Sequence, residues 1–334
     1  MCGKTGRQGD WETRRQGVRE TRRHGTRRGA YIGEGGVRFF GQVLMPWIVY
    51  FIAGGGTFLP GAGMLALAVA ARVVFDWRRI GVLSIAAVVI GIALITISGE
   101  AITWWVYWVW VASIVAWLLR GMPRSVRAKR VIDLTALTST CLAAAIAIVY
   151  RQAPSLPPAA FSRLYVIGDS ISAGIGRAGS ETWPGTIASE HGVTVINLAR
   201  AGSTIADATR HLEPGSLSEG LVLLEIGGND AIGRVKADQF GRDLEQLAGR
   251  VCGPGRAVVM LELPLFPFDN GYGLQQRRVA SRHGIHLIPR KNFVKVIGAR
   301  GATSDGIHLT AEGQRRMAEM VWGLVGASLR ASKS

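Results

Sequence analysis

Residues 164–170 of the chain are Leu-Tyr-Val-Ile-Gly-Asp-Ser, a short apolar run that ends in a glycine, an aspartate and a serine. A run of this length predicts a buried strand, so Ser170 is expected where that strand gives way to a loop. Much further along the chain, residues 305–308 are Asp-Gly-Ile-His. A serine after a strand, together with a distant Asp-x-x-His, is typical of a nucleophile and its general base.

Further apolar runs predict the rest of a sheet. Strands are predicted over residues 164–167, 193–198, 221–226, 257–263 and 286–288, and helices over residues 236–251, 275–282 and 310–329. Nearly continuous Val, Ile and Leu strands that alternate with helices predict a parallel sheet covered on both faces. The C-terminal half is therefore expected to be an α/β domain.

Polar motifs follow the first three predicted strands. They are Gly-Asp-Ser at residues 168–170, Ala-Arg-Ala-Gly at residues 199–202 and Gly-Gly-Asn-Asp at residues 227–230. In parallel sheets, ligands bind beyond the carboxyl ends of the strands. The three motifs are therefore expected to meet at one site.

In that site Ser170 is the candidate nucleophile, His308 is the base that takes its proton, and Asp305 is the carboxylate that fixes the imidazole tautomer. The oxyanion that forms on attack needs fixed hydrogen-bond donors. The backbone N–H groups of Ser170 and Gly202 are two candidates, and the side-chain amide of Asn229 is the third.

Other carboxylates near these motifs have different expected roles. Asp169 and Asp230 are expected to hold loops by accepting hydrogen bonds from backbone N–H groups. Asp207 and Glu225 are alternative partners for a histidine, but neither has the spacing that Asp305 has to His308.

Residues 163–329 resemble the SGNH (GDSL) hydrolase superfamily, whose four sequence blocks occur here in order. The blocks are Gly168-Asp169-Ser170, Gly202 within residues 197–203, Gly227-Gly228-Asn229-Asp230 and Asp305-Gly306-Ile307-His308. Trp183-Pro184, shortly after the serine, is similar to the compact bacterial acyl-thioesterase/lysophospholipase branch. The resemblance implies a flavodoxin-like three-layer α/β/α fold, the same catalytic residues and oxyanion donors, and no cofactor.

Composition and spacing argue against several other classes of protein. The formal net charge of +16 is spread along the chain, and no stripe of Arg and Lys interleaved with aromatics indicates a nucleic-acid partner. Cys2, Cys141 and Cys252 show no metal-binding spacing. No Gly-x-Ser-x-Gly elbow surrounds Ser170, which disfavours a classical α/β-hydrolase.

The apolar residues concentrate before residue 151, where runs of about 18–20 residues match a hydrocarbon core of ~30 Å. Transmembrane helices are predicted over residues 39–54, 60–75, 81–98, 101–119 and 131–150. The block over residues 39–75, which glycines interrupt, fits either two short spanning helices or one re-entrant pair. An Arg/Gly-rich tail at residues 1–38 is expected to be disordered. A Pro-rich linker at residues 151–160 precedes the hydrolase domain at residues 161–334.

Positive charges predict the orientation of these helices. The basic tail, Arg78-Arg79 and the basic residues within 120–130 are expected on the cytoplasmic side of the cell membrane. The turns near Gly55 and Glu100 lack Lys and Arg and are expected outside. If the block at residues 39–75 crosses the membrane twice or not at all, the chain crosses five or three times. In either case the N-terminus is expected in the cytoplasm and the hydrolase domain outside it.

We therefore expect a membrane-anchored, extracytoplasmic serine esterase that hydrolyses acyl esters through an acyl-enzyme. Its substrate is either a lipid-like ester or thioester, or an O-acetyl group on envelope carbohydrate. One alternative hypothesis is an O-acyltransferase that moves the acyl group to a sugar, and another is a non-catalytic, membrane-tethered binding module. Residues 265–268 (Leu-Phe-Pro-Phe) either line an acyl or sugar pocket or form an ordinary apolar loop.

Overall fold

Five parallel strands form the sheet of the C-terminal half. The computed structural model describes residues 48–74, 77–121, 125–158, 160–175 and 179–330. The strands are β1 (Arg163–Gly168), β2 (Thr194–Asn197), β3 (Gly220–Glu225), β4 (Arg256–Leu261) and β5 (His286–Ile288). They pair in the order β2-β1-β3-β4-β5, and every pairing is parallel. The register sets Gly168 beside Glu225, so β1 and β3 end side by side.

Helices precede the sheet and alternate with its strands. The helical half, residues 48–149, contains α1 (residues 48–53), α2 (Phe58–Val74), α3 (Trp77–Ile97), α4 (Trp104–Leu118) and α5 (Val126–Val149). The hydrolase half, residues 160–330, contains α6 (Ser170–Ala173), α7 (Trp183–His191), α8 (Ile205–His211), α9 (Gly228–Ile232), α10 (Ala237–Val251), α11 (Asn270–His283), α12 (Arg290–Ile297) and α13 (Ala311–Val325). All described residues fall within one compact unit.

Apolar side chains on both faces of the sheet pack against helices. Successive residues of a strand point to opposite faces, and in β1 Leu164 and Val166 enter one core while Tyr165 and Ile167 enter the other. The first core is completed by α7, α12 and α13, and the second by α8, α10 and α11. This arrangement confirms the predicted parallel α/β fold of the hydrolase half.

The helices of the helical half differ at their ends from those predicted. α5 begins at Val126 rather than at residue 131, because Ser125 caps it and its first turns carry basic side chains that an apolar run does not reveal. α4 begins at Trp104 rather than at residue 101, because Ala101 and Ile102 are buried outside the helix. The glycines at residues 54–56 do form the turn between α1 and α2.

One described helix, α5, is long and apolar enough to cross a bilayer by its length and composition. The apolar stretches of α2, α3 and α4 are shorter, at Phe58–Val73, Gly81–Ile97 and Trp104–Leu118. A helix like α5 also occurs in the cores of soluble proteins, so the multi-pass membrane region stays a prediction. The predicted tail at residues 1–38, and most of the predicted span at residues 39–54, lie outside the described residues.

A buried ion cluster joins the helical half to the hydrolase half. Glu100, in the turn between α3 and α4, places Oε1 2.8 Å from Arg277 Nη2 and Oε2 3.0 Å from Arg290 Nη2. Arg277 Nε in turn donates to Glu262 Oε1 at 2.8 Å. All four side chains are almost fully buried. Two carboxylates and two guanidinium groups buried in this way stabilise the fold only when each charge keeps its partner.

Candidate active site

Ser170 lies where β1 ends. The chain turns from β1 directly into α6 because Asp169 caps that helix, with its Oδ1 accepting a hydrogen bond from the N–H of Ile171 at 3.0 Å. Gly168 is needed for close packing, since a Cβ there would lie 2.7 Å from Ser172 Oγ. Ser170 is half-buried, whereas Asp169 and Ile171 are buried. The junction therefore presents one serine at the carboxyl end of the sheet.

The loop from Asp305 to His308 holds a carboxylate against an imidazole. Asp305 Oδ2 lies 2.6 Å from His308 Nδ1, while Oδ1 accepts hydrogen bonds from the N–H of Ile307 at 3.0 Å and of His308 at 2.8 Å. Gly306 permits this tight loop with a φ of +90°. A proton on Nδ1 that faces the carboxylate leaves Nε2 as the basic nitrogen. This is the geometry that a general base requires.

Hydrogen bonds keep the Asp305 carboxylate ionised. The N–H of His308 is the largest cause that holds the pKa of Asp305 far below its usual value, and the His308 ring and the N–H of Ile307 add to it. An ionised carboxylate beside Nδ1 stabilises the imidazolium that forms when the ring accepts a proton.

Both motifs border the same cavity. This cavity has a volume of about 360 Å³ and is bounded by Asp169 on one side and by Gly306 and Ile307 on another. Burial raises the pKa of Asp169, and the nearby charge of His308 acts in the opposite direction. Among the residues that the structure describes, Ser170 Oγ has no hydrogen-bond partner, and the Ser170–His308 bond is not formed.

The three candidate oxyanion donors follow the carboxyl ends of three neighbouring strands, β1, β2 and β3. Gly202 has a φ of +77°, which favours glycine, and a Cβ there would meet no other atom within 4 Å. Asn229 Nδ2 donates to the carbonyl O of Ser203 at 3.0 Å and lies 3.4 Å from Asp169 Oδ2. Within the described ranges, the N–H groups of Ser170 and Gly202 donate to no protein acceptor. Asn229 thus ties the Gly202 loop to the nucleophile loop.

The carboxylates below the site have structural partners. Asp230 Oδ2 accepts a hydrogen bond from the N–H of Ile205 at 3.0 Å, and Asp169 holds Ile171 as described above, so both hold loops as predicted. Asp207 forms the capping box of α8 with Thr204. Neither Asp207 nor Glu225 contacts a histidine by a hydrogen bond in the part of the chain that is described.

Glu225, considered in the sequence only as an alternative partner for a histidine, instead supports the nucleophile loop from below. It is buried at the end of β3, where its Oε2 accepts a hydrogen bond from Ser172 Oγ at 2.6 Å. Trp183 Nε1 donates to the same hydroxyl at 3.2 Å. Burial, and then the charge of Asp169, raise the pKa of Glu225 well above its usual value. The sequence signal that could have revealed this role is an ionisable residue, Glu225, at the end of the otherwise apolar strand β3.

The cavity beside Ser170 is largely apolar. Its walls in the hydrolase half include Leu263, Leu265, Phe266, Phe293 and Ile297. Of the apolar loop at residues 265–268, Leu265 and Phe266 therefore belong to the pocket. Phe268 points elsewhere, with a φ of 72° and 78% of its surface exposed. No three His, Cys, Asp or Glu side chains of the described residues cluster as metal ligands.

Known proteins resemble the hydrolase half. Residues 166–316 match the GDSL-like Lipase/Acylhydrolase family. Esterase TesA from Pseudomonas aeruginosa is 30% identical over 205 residues, which cover 56% of this chain and 94% of that protein. An arylesterase from Vibrio mimicus is 28% identical over 176 residues, which cover 48% of this chain and 87% of that protein. A crystal structure of TesA covers 49% of this chain and 97% of its own, at 28% identity and a TM-score of 0.43.

The region that matches the family begins at residue 166, so the helical half lies outside it. It includes all four sequence blocks, from Gly168 to His308. The relative from Pseudomonas aeruginosa matches over nearly its full length. The chain therefore belongs to the GDSL-like lipase/acylhydrolase family, and it is a serine ester hydrolase.

Proposed function

We propose that Ser170, His308 and Asp305 form the catalytic triad of a membrane-anchored esterase whose hydrolase half faces the outside of the cell membrane. The observation that carries this proposal is the 2.6 Å contact between Asp305 Oδ2 and His308 Nδ1, at the same cavity as the nucleophile loop. The substrate is an acyl ester, in keeping with the esterases to which the chain is similar.

The reaction has two halves. Ser170 Oγ attacks the ester carbonyl carbon while His308 Nε2 accepts the hydroxyl proton, and the charge of Asp305 stabilises the imidazolium. His308 then gives that proton to the leaving alcohol, which leaves Ser170 acylated. In the second half, water attacks the acyl-enzyme, His308 accepts its proton and returns it to Ser170 as the carboxylic acid leaves.

The negative charge on the carbonyl oxygen is stabilised by three donors. The N–H groups of Ser170 and Gly202 lack protein acceptors in the described structure and are available to that oxygen. The contact of Asn229 Nδ2 with Asp169 Oδ2, at 3.4 Å, is long for a hydrogen bond. The Nδ2 proton of Asn229 that faces Asp169 is therefore the one that donates to the oxyanion. The second Nδ2 proton keeps its hydrogen bond to the carbonyl O of Ser203.

Exposed apolar surface supports the membrane anchor. Leu67 on α2 is 71% exposed, and Val82 and Leu83 on α3 are 82% and 72% exposed. α5 carries further exposed apolar side chains, including Val131 and Leu134. Extended apolar surfaces of this kind mark contacts with lipid or with another protein.

Contacts between the halves support the orientation. The turns near Gly55 and Glu100 are those that the charge pattern predicts outside, and both contact the hydrolase half or the segment leading to it. Arg120 lies at the other end of α4, where it pairs with Asp133 at 2.7 Å. The turns that lack Lys and Arg therefore lie on the same side of the bundle as the hydrolase half, in keeping with the predicted orientation.

A fluorophosphonate probe tests the nucleophile. We expect the full-length protein to be labelled and to hydrolyse p-nitrophenyl esters, and Ser170→Ala to lose both properties. Ser189→Ala is the matched control, because Ser189 is an exposed serine on α7. Labelling and full hydrolysis by Ser170→Ala would contradict the assignment.

Protease accessibility tests the orientation. In spheroplasts, added protease is expected to cut the hydrolase half while cytoplasmic marker proteins stay intact. Protection of the hydrolase half until the membrane is lysed would contradict an extracytoplasmic site, without bearing on Ser170.

A further inference from the structure

The cavity beside Ser170 has one wall that does not come from the hydrolase half. Val49, Tyr50 and Ala53 of α1 line it, opposite apolar side chains such as Leu263 and Phe266. α1 lies outside the region that matches the family, which begins at residue 166. The pocket next to the nucleophile is therefore assembled from two distant parts of the chain.

Specific contacts fix α1 in this place. The carbonyl O of Ala53 accepts a hydrogen bond from the N–H of Leu265 at 3.2 Å, which joins α1 to the pocket loop. The Tyr50 ring packs on α12, since a Cβ at Gly298 would lie 2.9 Å from Tyr50 Cγ. The packed ring of Tyr50 and the backbone bond of Ala53, three residues apart on one helical turn, fix α1 as a defined wall of the cavity.

Tyr50 also holds the loop that carries the candidate base. Its hydroxyl donates to the carbonyl O of Gly306 at 2.9 Å. Gly306 lies between Asp305 and His308 in a conformation with a φ of +90°. The hydroxyl of Tyr50 thus braces the catalytic loop from outside the hydrolase half.

The chemistry of the cavity indicates its occupant. Its lining is mostly hydrocarbon, and its polar side chains lie at the nucleophile end, as Asp169 and Glu225, or at its rim, as the ion pair of Arg234 and Asp269. A mostly apolar pocket that borders the nucleophile loop suits an acyl chain whose carboxyl end lies at Ser170.

We propose that α1 forms one wall of the acyl-chain pocket, with Val49 as a residue that determines chain-length specificity and Tyr50 as a positioning residue for the His308 loop. This inference rests on the proposed function, and it selects esters of medium-length apolar acids over acetyl esters as substrates. The helical half then takes part in substrate selection besides carrying the hydrolase half.

A pair of neighbouring substitutions tests the wall. Val49 and Ile48 are each 42% exposed on the same helix, but Val49 lines the cavity and Ile48 does not. In the full-length protein, we expect Val49→Asp to lower kcat/KM for p-nitrophenyl decanoate at least tenfold more than it lowers kcat/KM for the acetate ester. Ile48→Asp should change neither. If the ratio of kcat/KM for decanoate to kcat/KM for acetate is the same in the two variants, the proposal that α1 forms a wall of the pocket is overturned.

A pair of tyrosine substitutions tests the positioning role. Tyr50 and Tyr107 each donate from the hydroxyl to a backbone carbonyl at 2.9 Å, but Tyr107 bonds to Glu100, away from the catalytic loop. Tyr50→Phe should lower kcat several-fold for acetate and decanoate esters alike, with KM unchanged. Tyr107→Phe should keep the wild-type kcat. The same kcat in both variants would overturn the role of Tyr50.

Binding without turnover separates this inference from the proposed function. Isothermal titration of decanoate into the full-length Ser170→Ala protein should show binding that Val49→Asp weakens at least tenfold and Ile48→Asp does not. If the wild type cleaves no ester while decanoate binding still depends on Val49, the proposed function fails and the wall stands. If the wild type is an active esterase but decanoate binds both variants equally, or does not bind, the wall fails alone.

Discussion

Arg290 Nη2 lies 3.0 Å from Glu100 Oε2 inside the contact between the helical half and the hydrolase half. Arg290 begins α12, which carries Phe293 and Ile297 to the candidate active-site cavity. Its Nη1 also donates to the carbonyl O of Gly99 at 2.9 Å. The turn between α3 and α4 is therefore anchored on a helix that shapes the pocket, and the two halves are expected to unfold together.

Replacement of Glu100 by Gln should destabilise the whole protein. Arg290 would lose the carboxylate with which it pairs and Arg277 would lose one of its two carboxylate partners, and breaking a buried ion pair in this way costs about 3–5 kcal/mol. We expect a clearly lower midpoint of thermal unfolding, followed by tryptophan fluorescence. Glu312→Gln, which breaks exposed pairs on α13, is the control and should keep the wild-type midpoint. Equal midpoints for both variants would show that the cluster does not hold the halves together.

The contribution of Glu100 also depends on pH. Burial alone would raise the pKa of Glu100, but the charges of Arg290 and Arg277 outweigh it and hold that pKa below the usual value. A carboxyl with a lowered folded-state pKa contributes stability above its unfolded pKa, and this stability is lost as the pH falls through the folded value. In acid, the wild type should therefore approach the unfolding midpoint of Glu100→Gln. A gap between them that stays constant from pH 7 to pH 3 would contradict this.

Asp305→Asn should lower kcat by about 10²–10⁴, because the amide no longer stabilises an imidazolium and favours the wrong tautomer of His308. KM should change little, since Asp305 does not line the cavity. Steady-state kinetics with a p-nitrophenyl ester measures both constants. Asp243→Asn, a change at a half-buried residue of α10 that bonds to Gln239, is the control. A kcat of Asp305→Asn within twofold of the wild type would remove Asp305 from the triad.

Asn229→Ala should lower kcat by about 10²–10³, the usual loss when one side-chain donor to an oxyanion is removed. Asn229→Asp should be slower still, because a carboxylate there repels both the oxyanion and Asp169, which lies 3.4 Å from the amide nitrogen. The kinetic constants and the midpoint of thermal unfolding should both be measured for each variant, because Asn229 also donates a hydrogen bond to Ser203. A variant with wild-type kcat and a lower midpoint would make Asn229 a loop residue only.

The strands and the site motifs could be predicted from the sequence because their signals are local. β1 and β3 are buried on both faces and therefore appear as unbroken apolar runs. α7 and α8, at nine and seven residues, are too short to show a helical period, and they were not predicted. α11 begins at Asn270 rather than at residue 275, since its glycines disfavour a helix by propensity. Gly273 is nevertheless required there, because a Cβ would lie 2.8 Å from Ala101 Cβ.

The contact between the halves could not be predicted. In the sequence, Glu100 is indistinguishable from an ordinary polar residue in a turn. Nothing near it in the sequence indicates that it pairs with Arg277 and Arg290. The same holds for the pocket. Tyr50 lies 256 residues from Gly306, whose carbonyl it binds, and no local pattern connects the two. The residues within each motif of the site lie close together in the sequence and were therefore predictable, whereas the outer wall of the pocket arises from docking of a distant helix.

Glu225 gives the opposite dependence on pH from Glu100. Its pKa is raised well above the usual value, by burial first and by the charge of Asp169 second. A carboxyl whose pKa is raised in the folded state contributes fully to the stability of the fold below its unfolded pKa of about 4.3. That contribution is lost as the pH rises through its folded pKa. Asp230 acts in the same direction, since burial raises its pKa to about 6.

Glu225→Gln should therefore remove part of the alkaline loss of stability. The amide is uncharged at every pH and keeps an oxygen to accept the hydrogen bond from Ser172 Oγ. Thermal midpoints measured from pH 5 to pH 9 should fall less steeply for the variant than for the wild type, and the variant should be the more stable at pH 9. Glu245→Gln is the control, because a hydrogen bond from His283 lowers the pKa of Glu245, and it should keep the wild-type slope above neutral pH. Parallel curves for Glu225→Gln and the wild type would mean that Glu225 is ionised beneath Ser170 throughout this range.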